Sequence, residues 1–277
     1  MKDKLFDYVE RDNWVFRLSG ITKLICFIIL TVCVMFTYDV RLIAGILLLS
    51  IAVLAMSGIK FSQIKTLVIY VCVFLIMNLV LTYLFDPDYG VELYGSSHEI
   101  FSFGGRYIVT AEQLIYQLSK MFKYASVIPL GLMFVLTTNP SEFASSLNGV
   151  YVSYKFCYAL ALTLRYFPDT IRNYNDISIA QQSRGLDLSK KEKFTTRVKN
   201  IMNICVPLIF STMDRIDVIS NAMDLRGFGK HKKRTWYTKT APGWADYACI
   251  GVCLAVLAVV IVFFIWINHG RYWNPFI

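Results

Sequence analysis

Three stretches of this chain, Leu42 to Ile59, Thr66 to Phe85 and Tyr247 to Asn268, contain no Asp, Glu, Lys or Arg. At about 1.5 Å of rise per residue, each comes close to or exceeds the roughly 30 Å of hydrocarbon in a bilayer. Inside lipid the backbone must satisfy its own hydrogen bonds, so these stretches are helices. Two shorter apolar stretches reach a usable length only by extension. Leu24 to Tyr38 needs Thr22 and a snorkelling Lys23 at its edge, and Tyr124 to Thr138 runs back through Lys123 and Met121. The sequence therefore predicts an all-α integral membrane protein with about five transmembrane helices. Its 17% of charged residues, against roughly 25% in soluble domains, agrees. No early apolar segment ends in a small-residue cleavage site, so the first span is expected to stay in the mature protein.

Charge sets the expected orientation. Lys2, Lys4, Arg11, Arg17 and Lys23 precede the first span, and Lys60 and Lys65 follow the second, which puts both connections in the cytoplasm. The loop from Asp86 to Arg106 alternates to the outside, with Asp86, Asp88, Glu92 and Glu99 against Arg106 alone. Its glycines and aromatics (Tyr89, Gly90, Tyr94, Gly95, Phe101, Phe103, Gly104, Gly105) suit a small ordered hairpin. Continued alternation leaves the long region between the fourth and fifth spans in the cytoplasm. From Arg165 to Lys239 it carries fifteen Lys or Arg and seven Asp or Glu. Inserting those charges would cost on the order of 50 kcal/mol, so this region does not span. The resulting division is 1–138 for the N-terminal segment and four spans, 139–243 for a cytoplasmic helical domain, and 244–277 for a last span whose C-terminus is external.

The seven cysteines (Cys26, Cys33, Cys72, Cys157, Cys205, Cys249, Cys253) form no Cys-x-x-Cys pair and read as small buried hydrophobes. His98, His231 and His269 are far apart, so no metal site is expected.

The cytoplasmic domain opens with Asn139-Pro140-Ser141-Glu142, a helix start, and a stop is expected at Asn148-Gly149. Tyr151 to Leu164 suits a helix lying against the membrane or under the bundle, continuing to Ser183 with a bend or short break at Pro168. A second long helix is expected from Ser189, paired with Glu192 as a capping box. Its apolar face runs through Val198, Ile201, Met202, Cys205, Leu208, Ile209, Thr212, Ile216, Ile219 and Met223, with a kink at Pro207 and a stop at Gly227 and Gly229. The run Lys230, Lys232, Lys233 and Arg234, leading to Trp236 and Tyr237, suits chain returning to an anionic membrane surface.

Both long helices finish alike, with Ala180-Gln181-Gln182-Ser183-Arg184-Gly185 and Ala222-Met223-Asp224-Leu225-Arg226-Gly227. An arginine in the last turn complements the helix dipole, and the following glycine takes the left-handed cap. One such end is ordinary punctuation. Two of them, closing consecutive amphipathic helices of one membrane-attached domain, read as a pair of guanidinium docking tips for acidic groups or carbonyls of a partner.

On these residues the chain resembles the transmembrane T component of energy-coupling-factor transporters, ABC-type importers of vitamins and metal ions. Further resemblance lies in Arg17-Leu18-Ser19-Gly20-Ile21-Thr22-Lys23, Thr137-Thr138-Asn139-Pro140-Ser141-Glu142 and Leu162-Thr163-Leu164-Arg165-Tyr166-Phe167-Pro168. The alanine that precedes each arginine in the family motif is here Ser183 and Leu225, while Arg-Gly is intact. The resemblance implies a non-catalytic scaffold in a prokaryotic plasma membrane. It would dock two ABC-type ATPase subunits, separate or fused, through Ala180, Ser183, Arg184, Gly185, Ala222, Leu225, Arg226 and Gly227. It would also hold a substrate-binding membrane S component. No cofactor is implied, since ATP is bound by the partners, and no nucleic acid. A vitamin or vitamin precursor is the preferred cargo.

Three rival readings use other residues. A conventional permease would bind substrate itself. A membrane enzyme could use Asp214, Asp217 and Asp224, although solvated carboxylates are the plainer account. The basic run at Lys230 to Arg234 could be a nucleic-acid patch, but lipid explains it more simply. The chain shows no phosphate loop, and its spans read as free of deeply placed charge.

Overall fold

The computed structural model describes residues 13–59, 61–102, 108–186, 194–231, 235–237, 240–268, 270 and 272–273. In chain order the elements are α1 (Trp14–Arg17), α2 (Gly20–Phe36), α3 (Val40–Met56), α4 (Phe61–Phe85), α5 (Tyr89–Tyr94), β1 (Glu99–Ser102), β2 (Ile108–Thr110), α6 (Ala111–Thr137), α7 (Pro140–Gly149), α8 (Tyr154–Ser183), α9 (Phe194–Leu225) and α10 (Trp244–Val262), the last running into a π-helical turn, Phe263–Ile267. They form two compact units, Met1–Asn139 with Thr240–Ile277 and, between them, Pro140–Lys239. The protein is an all-α membrane protein with one antiparallel hairpin among the described residues.

Five apolar helices make up most of the first unit. Three of them, at Ile64–Phe85, Ala111–Thr137 and Trp244–Ile267, have the length and composition to cross a membrane, while α2 and α3 are shorter at 17 residues each. Seventeen residues span about 25 Å, the low end of what crosses a bilayer. α6 packs on α3 and α2, and α2 on α10. Cys26, Leu30, Leu130 and Cys253 form one buried cluster; Cys33, Val34, Ile46 and Val260 form another. All seven cysteines are free thiols, four of them buried. Only Ile64 and Leu75 are buried among the described residues of α4, so this helix turns apolar side chains outward nearly all round.

Two sequence expectations are corrected here. Lys23 does not snorkel from the edge of the first span: it is 2% exposed, and its ammonium donates to the carbonyls of Phe16 at 3.2 Å and Thr137 at 3.0 Å. The fourth span, expected to run back from Thr138 through Lys123 and Met121, starts earlier: it is the 27-residue α6 from Ala111 to Thr137, which carries Glu112 and Lys120 besides Lys123. Each has partners in the fold. Glu112 accepts from Ser96 Oγ and the His98 amide, and one of its oxygens lies 2.7 Å from His98 Nδ1. Lys120 donates to Thr82 Oγ1, and Lys123 donates to the Met35 carbonyl while lying 3.6 Å from the Tyr38 ring centre.

The segment between α4 and α6 is ordered by the first turn of α6. Gln113 donates to the Asp86 carbonyl and accepts the Gly90 amide at 2.7 Å. A Cβ at Gly90 would meet the Gln113 backbone at 2.5 Å, so only glycine allows that approach. The hairpin of β1 and β2 follows α5; Phe103, Gly104, Gly105 and Arg106 lie outside the described residues, as do Lys2, Lys4, Arg11, Lys60 and His269.

Candidate functional site

The second unit is built from α7, α8 and α9. α7 begins at Pro140 and ends at Gly149, where the sequence places its stop. The reversal falls two residues later at Tyr151, which is fully exposed with φ +64°, and the Val152 amide closes the end on the Leu147 carbonyl. α8 starts at the N-cap Ser153, which accepts the Phe156 amide, and runs 30 residues without a break at Pro168. α9 continues likewise through Pro207 for 32 residues. Ser189 and Glu192, the expected start of the second helix, lie outside the described residues, as do Lys232, Lys233 and Arg234.

α8 and α9 pack antiparallel. Phe228, three residues past the end of α9, sits with its ring 4.7 Å from Tyr158 and 5.5 Å from Tyr154 at the start of α8. Further along, Arg215 pairs with Asp169 at 3.9 Å, and an open groove brings Leu162, Tyr166 and Thr170 against Thr212, Ile216 and Ile219. Rising numbers on one helix thus meet falling numbers on the other. Trp236 joins the aromatic group 6.0 Å from Tyr154 and donates its indole N–H to Asn148 Oδ1.

The apolar face read from the sequence of α9 is only partly covered within the chain. Ile204, absent from that pattern, is fully buried, whereas Val198, Ile201, Met202, Ile209 and Ile216 are exposed. Asp214, Asp217 and Asp224 are exposed as well.

Both arginine-bearing ends have the same backbone lock. At the end of α8 the Leu186 amide donates to the Gln181 carbonyl at 3.2 Å and the Gly185 amide to Gln182 at 2.9 Å, with Gly185 at φ +89°. At the end of α9 the Phe228 amide donates to Met223 at 3.0 Å and the Gly227 amide to Asp224 at 2.9 Å, with Gly227 at φ +67°. Each is a Schellman closure, which satisfies carbonyls that the helix leaves open. No atom lies within 4 Å of a Cβ built on either glycine, so the requirement is conformational rather than steric crowding. Ala180, Ser183, Arg184, Gly185, Ala222, Leu225 and Arg226 are exposed and Gly227 half-buried; Leu225 is 90% exposed.

Antiparallel packing puts these ends far apart. Arg226 lies beside the ring cluster at the start of α8, while Arg184 lies 26 residues beyond Tyr158 on the same helix. At about 1.5 Å per residue the separation along α8 is up to about 39 Å. Sequence reasoning did not find Phe228 or the register it sets. The signal was present, because an apolar residue directly after a capping glycine often packs back against the unit.

Residues 11–237 match the family model described as CbiQ, cobalt transport protein. Curated relatives called "Energy-coupling factor transporter transmembrane protein EcfT" resemble the chain over most of their length. The one from Bacillus selenitireducens is 25% identical over 91% of this chain and 94% of its own. The Bacillus subtilis protein is 26% identical over 92% and 96%. The Leuconostoc gelidum protein is 23% identical over 95% and 97%. Since the family match runs through α1 to α9 and takes in both arginine-bearing ends, the chain belongs to the CbiQ family and is a transmembrane T component of the energy-coupling-factor type.

Proposed function

We propose that this chain is the membrane scaffold of an energy-coupling-factor importer. It couples ATP hydrolysis by two separate ABC-type ATPase subunits, or a fused pair, to a conformational change in a substrate-binding S component. The observation that carries this reading is the pair of identically locked, exposed arginine ends at opposite reaches of one antiparallel helix pair. A single groove on one protein could not take both ends across tens of ångströms, whereas two subunits can take one each.

Arg184 and Arg226 supply the charge and fork geometry for acidic groups or carbonyls on the ATPases. Ala180, Ser183, Ala222 and Leu225 form the surrounding contact, and Gly185 and Gly227 hold the ends in shape. The exposed apolar residues of α9 and the outward side chains of α4 offer surface to the S component. ATP belongs to the partners, so the chain is a non-catalytic subunit without a cofactor of its own. By the excess of Lys and Arg, the N-terminus and residues 140–239 face the prokaryotic cytoplasm. The cargo follows from the S component, and a vitamin or other micronutrient fits this class.

The test is recovery of the ATPase subunits by the detergent-solubilised chain. With Arg184→Glu and Arg226→Glu together, loss of paired interface arginines costs roughly 2–5 kcal/mol and should abolish co-purification. Undiminished recovery at matched expression refutes the docking role.

A further inference from the structure

The chain passes between its two units at Asn139–Pro140 and at Lys239–Thr240. In the membrane unit both passages are tied to the first turn of α2. Just before the first passage, the Thr137 carbonyl at the end of α6 accepts from the buried Lys23 ammonium at 3.0 Å. Just after the second, the buried Asp246 in the first turn of α10 accepts the Ser19 amide on one oxygen at 2.8 Å and the Gly243 amide on the other at 2.7 Å. Ser19 is the N-cap of the turn that carries Lys23, and its hydroxyl is 2.9 Å from that of Thr22. Lys23 also donates to the Phe16 carbonyl, which ties in α1.

A buried cation on the Thr137 carbonyl at the end of α6 and a buried carboxylate at the amide end of α10 each match the local helix dipole. Both groups are hydrogen-bonded, as buried charge requires. The neighbouring Thr138 hydroxyl is buried with no hydrogen-bond partner among the described residues. Buried hydroxyls are normally paired, so this passage has a donor that a second arrangement could satisfy.

We infer that the Ser19–Lys23–Asp246 clasp is the joint through which displacement of residues 140–239 reaches α2, α6 and α10 together. Lys23 and Asp246 are thus positioning residues for energy coupling. Tension on either connecting peptide is delivered to the same turn, so the three helices respond as a set instead of fraying one at a time. This inference rests on the scaffold reading above.

The experiment is hydrogen–deuterium exchange on the complex of the chain with its ATPases, with and without the non-hydrolysable ATP analogue AMP-PNP. In the wild type, the nucleotide should shift exchange in α8 and α9 and also in residues 16–23, 137–138 and 243–247. In Lys23→Met and Asp246→Asn complexes that retain their ATPases, the shift in α8 and α9 should persist, while that in α2, α6 and α10 shrinks about tenfold, within the ordinary range of coupling free energies. A clasp that is merely structural would raise exchange in those helices with and without nucleotide and leave the response intact, and that result overturns the inference. So does loss of the response in both units with the ATPases still bound. Should the variants fail to assemble, the wild type decides alone: no response at residues 16–23 and 243–247 alongside a response in α9 sinks the joint. Failure of the docking reading looks different, because the ATPases would remain bound to the Arg184→Glu and Arg226→Glu chain.

Discussion

On the docking reading, replacing Gly227 with alanine isolates what the helix end contributes. Gly227 sits at φ +67° with no atom within 4 Å of an added Cβ, so alanine meets no neighbour and loses only through its own backbone strain. For an L-residue the left-handed region costs roughly 1–2 kcal/mol. A cost of that size lowers the population of the locked end by about five- to thirtyfold, since 1.4 kcal/mol is a factor of ten. The Phe228 amide bond to Met223 and the Phe228 contact with Tyr154 and Tyr158 depend on the same reversal, so the arginine end loses its orientation as well. Asparagine tolerates this conformation better than alanine does. The affinity of the purified chain for its ATPases should therefore fall in the order glycine, asparagine, alanine, with Gly227→Ala weakened about tenfold and helix content unchanged by circular dichroism. Equal affinity for all three, or equal loss in the asparagine and alanine variants, would refute the idea that the left-handed lock presents the arginine.

Other outcomes follow from single side chains. Tyr151 holds φ +64° while fully exposed, so Tyr151→Gly removes strain of about 1 kcal/mol and should raise the melting temperature by about 2–4 °C in detergent, with an unchanged or lower value counting against the strain. Burial pushes the Asp39 carboxyl up, but hydrogen bonds from the Arg41 and Asn268 side chains and the Arg41 amide, with the Arg41 charge, bring it below the usual carboxylate range. A depressed folded value means the stabilisation is present above the unfolded value of about 3.9 and is lost as pH falls through the folded one. Thermal stability should accordingly drop on acidification below about pH 4, and Asp39→Asn should lower stability at neutral pH while flattening that acid limb. An unchanged acid limb in the variant would assign the drop to other carboxylates.

Much of the membrane unit is legible because hydrocarbon imposes a simple rule, the absence of charge over a helix length, and α4 from Thr66 onward and α10 from Tyr247 onward obey it. α6 obeys it only in its second half. Glu112 and Lys120 look like loop charges in a linear reading, which carries the span back only through Lys123 and Met121, and what makes all three charges acceptable in one helix is tertiary: His98, Thr82 and the Met35 carbonyl, 14, 38 and 88 residues away in sequence. Lys23 misled in the opposite direction, since a lysine at a span edge ordinarily reaches for water, and here two carbonyls and burial replace it. The helix ends at Arg184 and Arg226 were readable because glycine announces a left-handed cap. The turn at Tyr151 was not, because an aromatic residue there carries no such signal. Nor could any pattern within α8 or α9 reveal that they run antiparallel, which rests on Phe228 against Tyr158 and Asp169 against Arg215.

That antiparallel register gives the two arginine ends unequal freedom. The end at Arg226 is fastened beside the start of α8 by the Phe228 ring, with Tyr154, Tyr158 and Trp236 around it. Aromatic pairs of this kind contribute about 0.5–1.5 kcal/mol each beyond the area they bury. The other fastening, Arg215 to Asp169 at 3.9 Å, joins two partly exposed side chains, and such pairs hold weakly, by about 0–1 kcal/mol. Arg184 lies 15 residues beyond Asp169, an arm of up to about 22 Å. A rotation of about 10° at the weak contact would carry the Arg184 end through about 4 Å while the ring cluster keeps the Arg226 end seated. On the docking reading, then, relative movement of the two ATPases is taken up mainly at the Arg184 arm, and the Arg226 end serves as the fixed point against which it works.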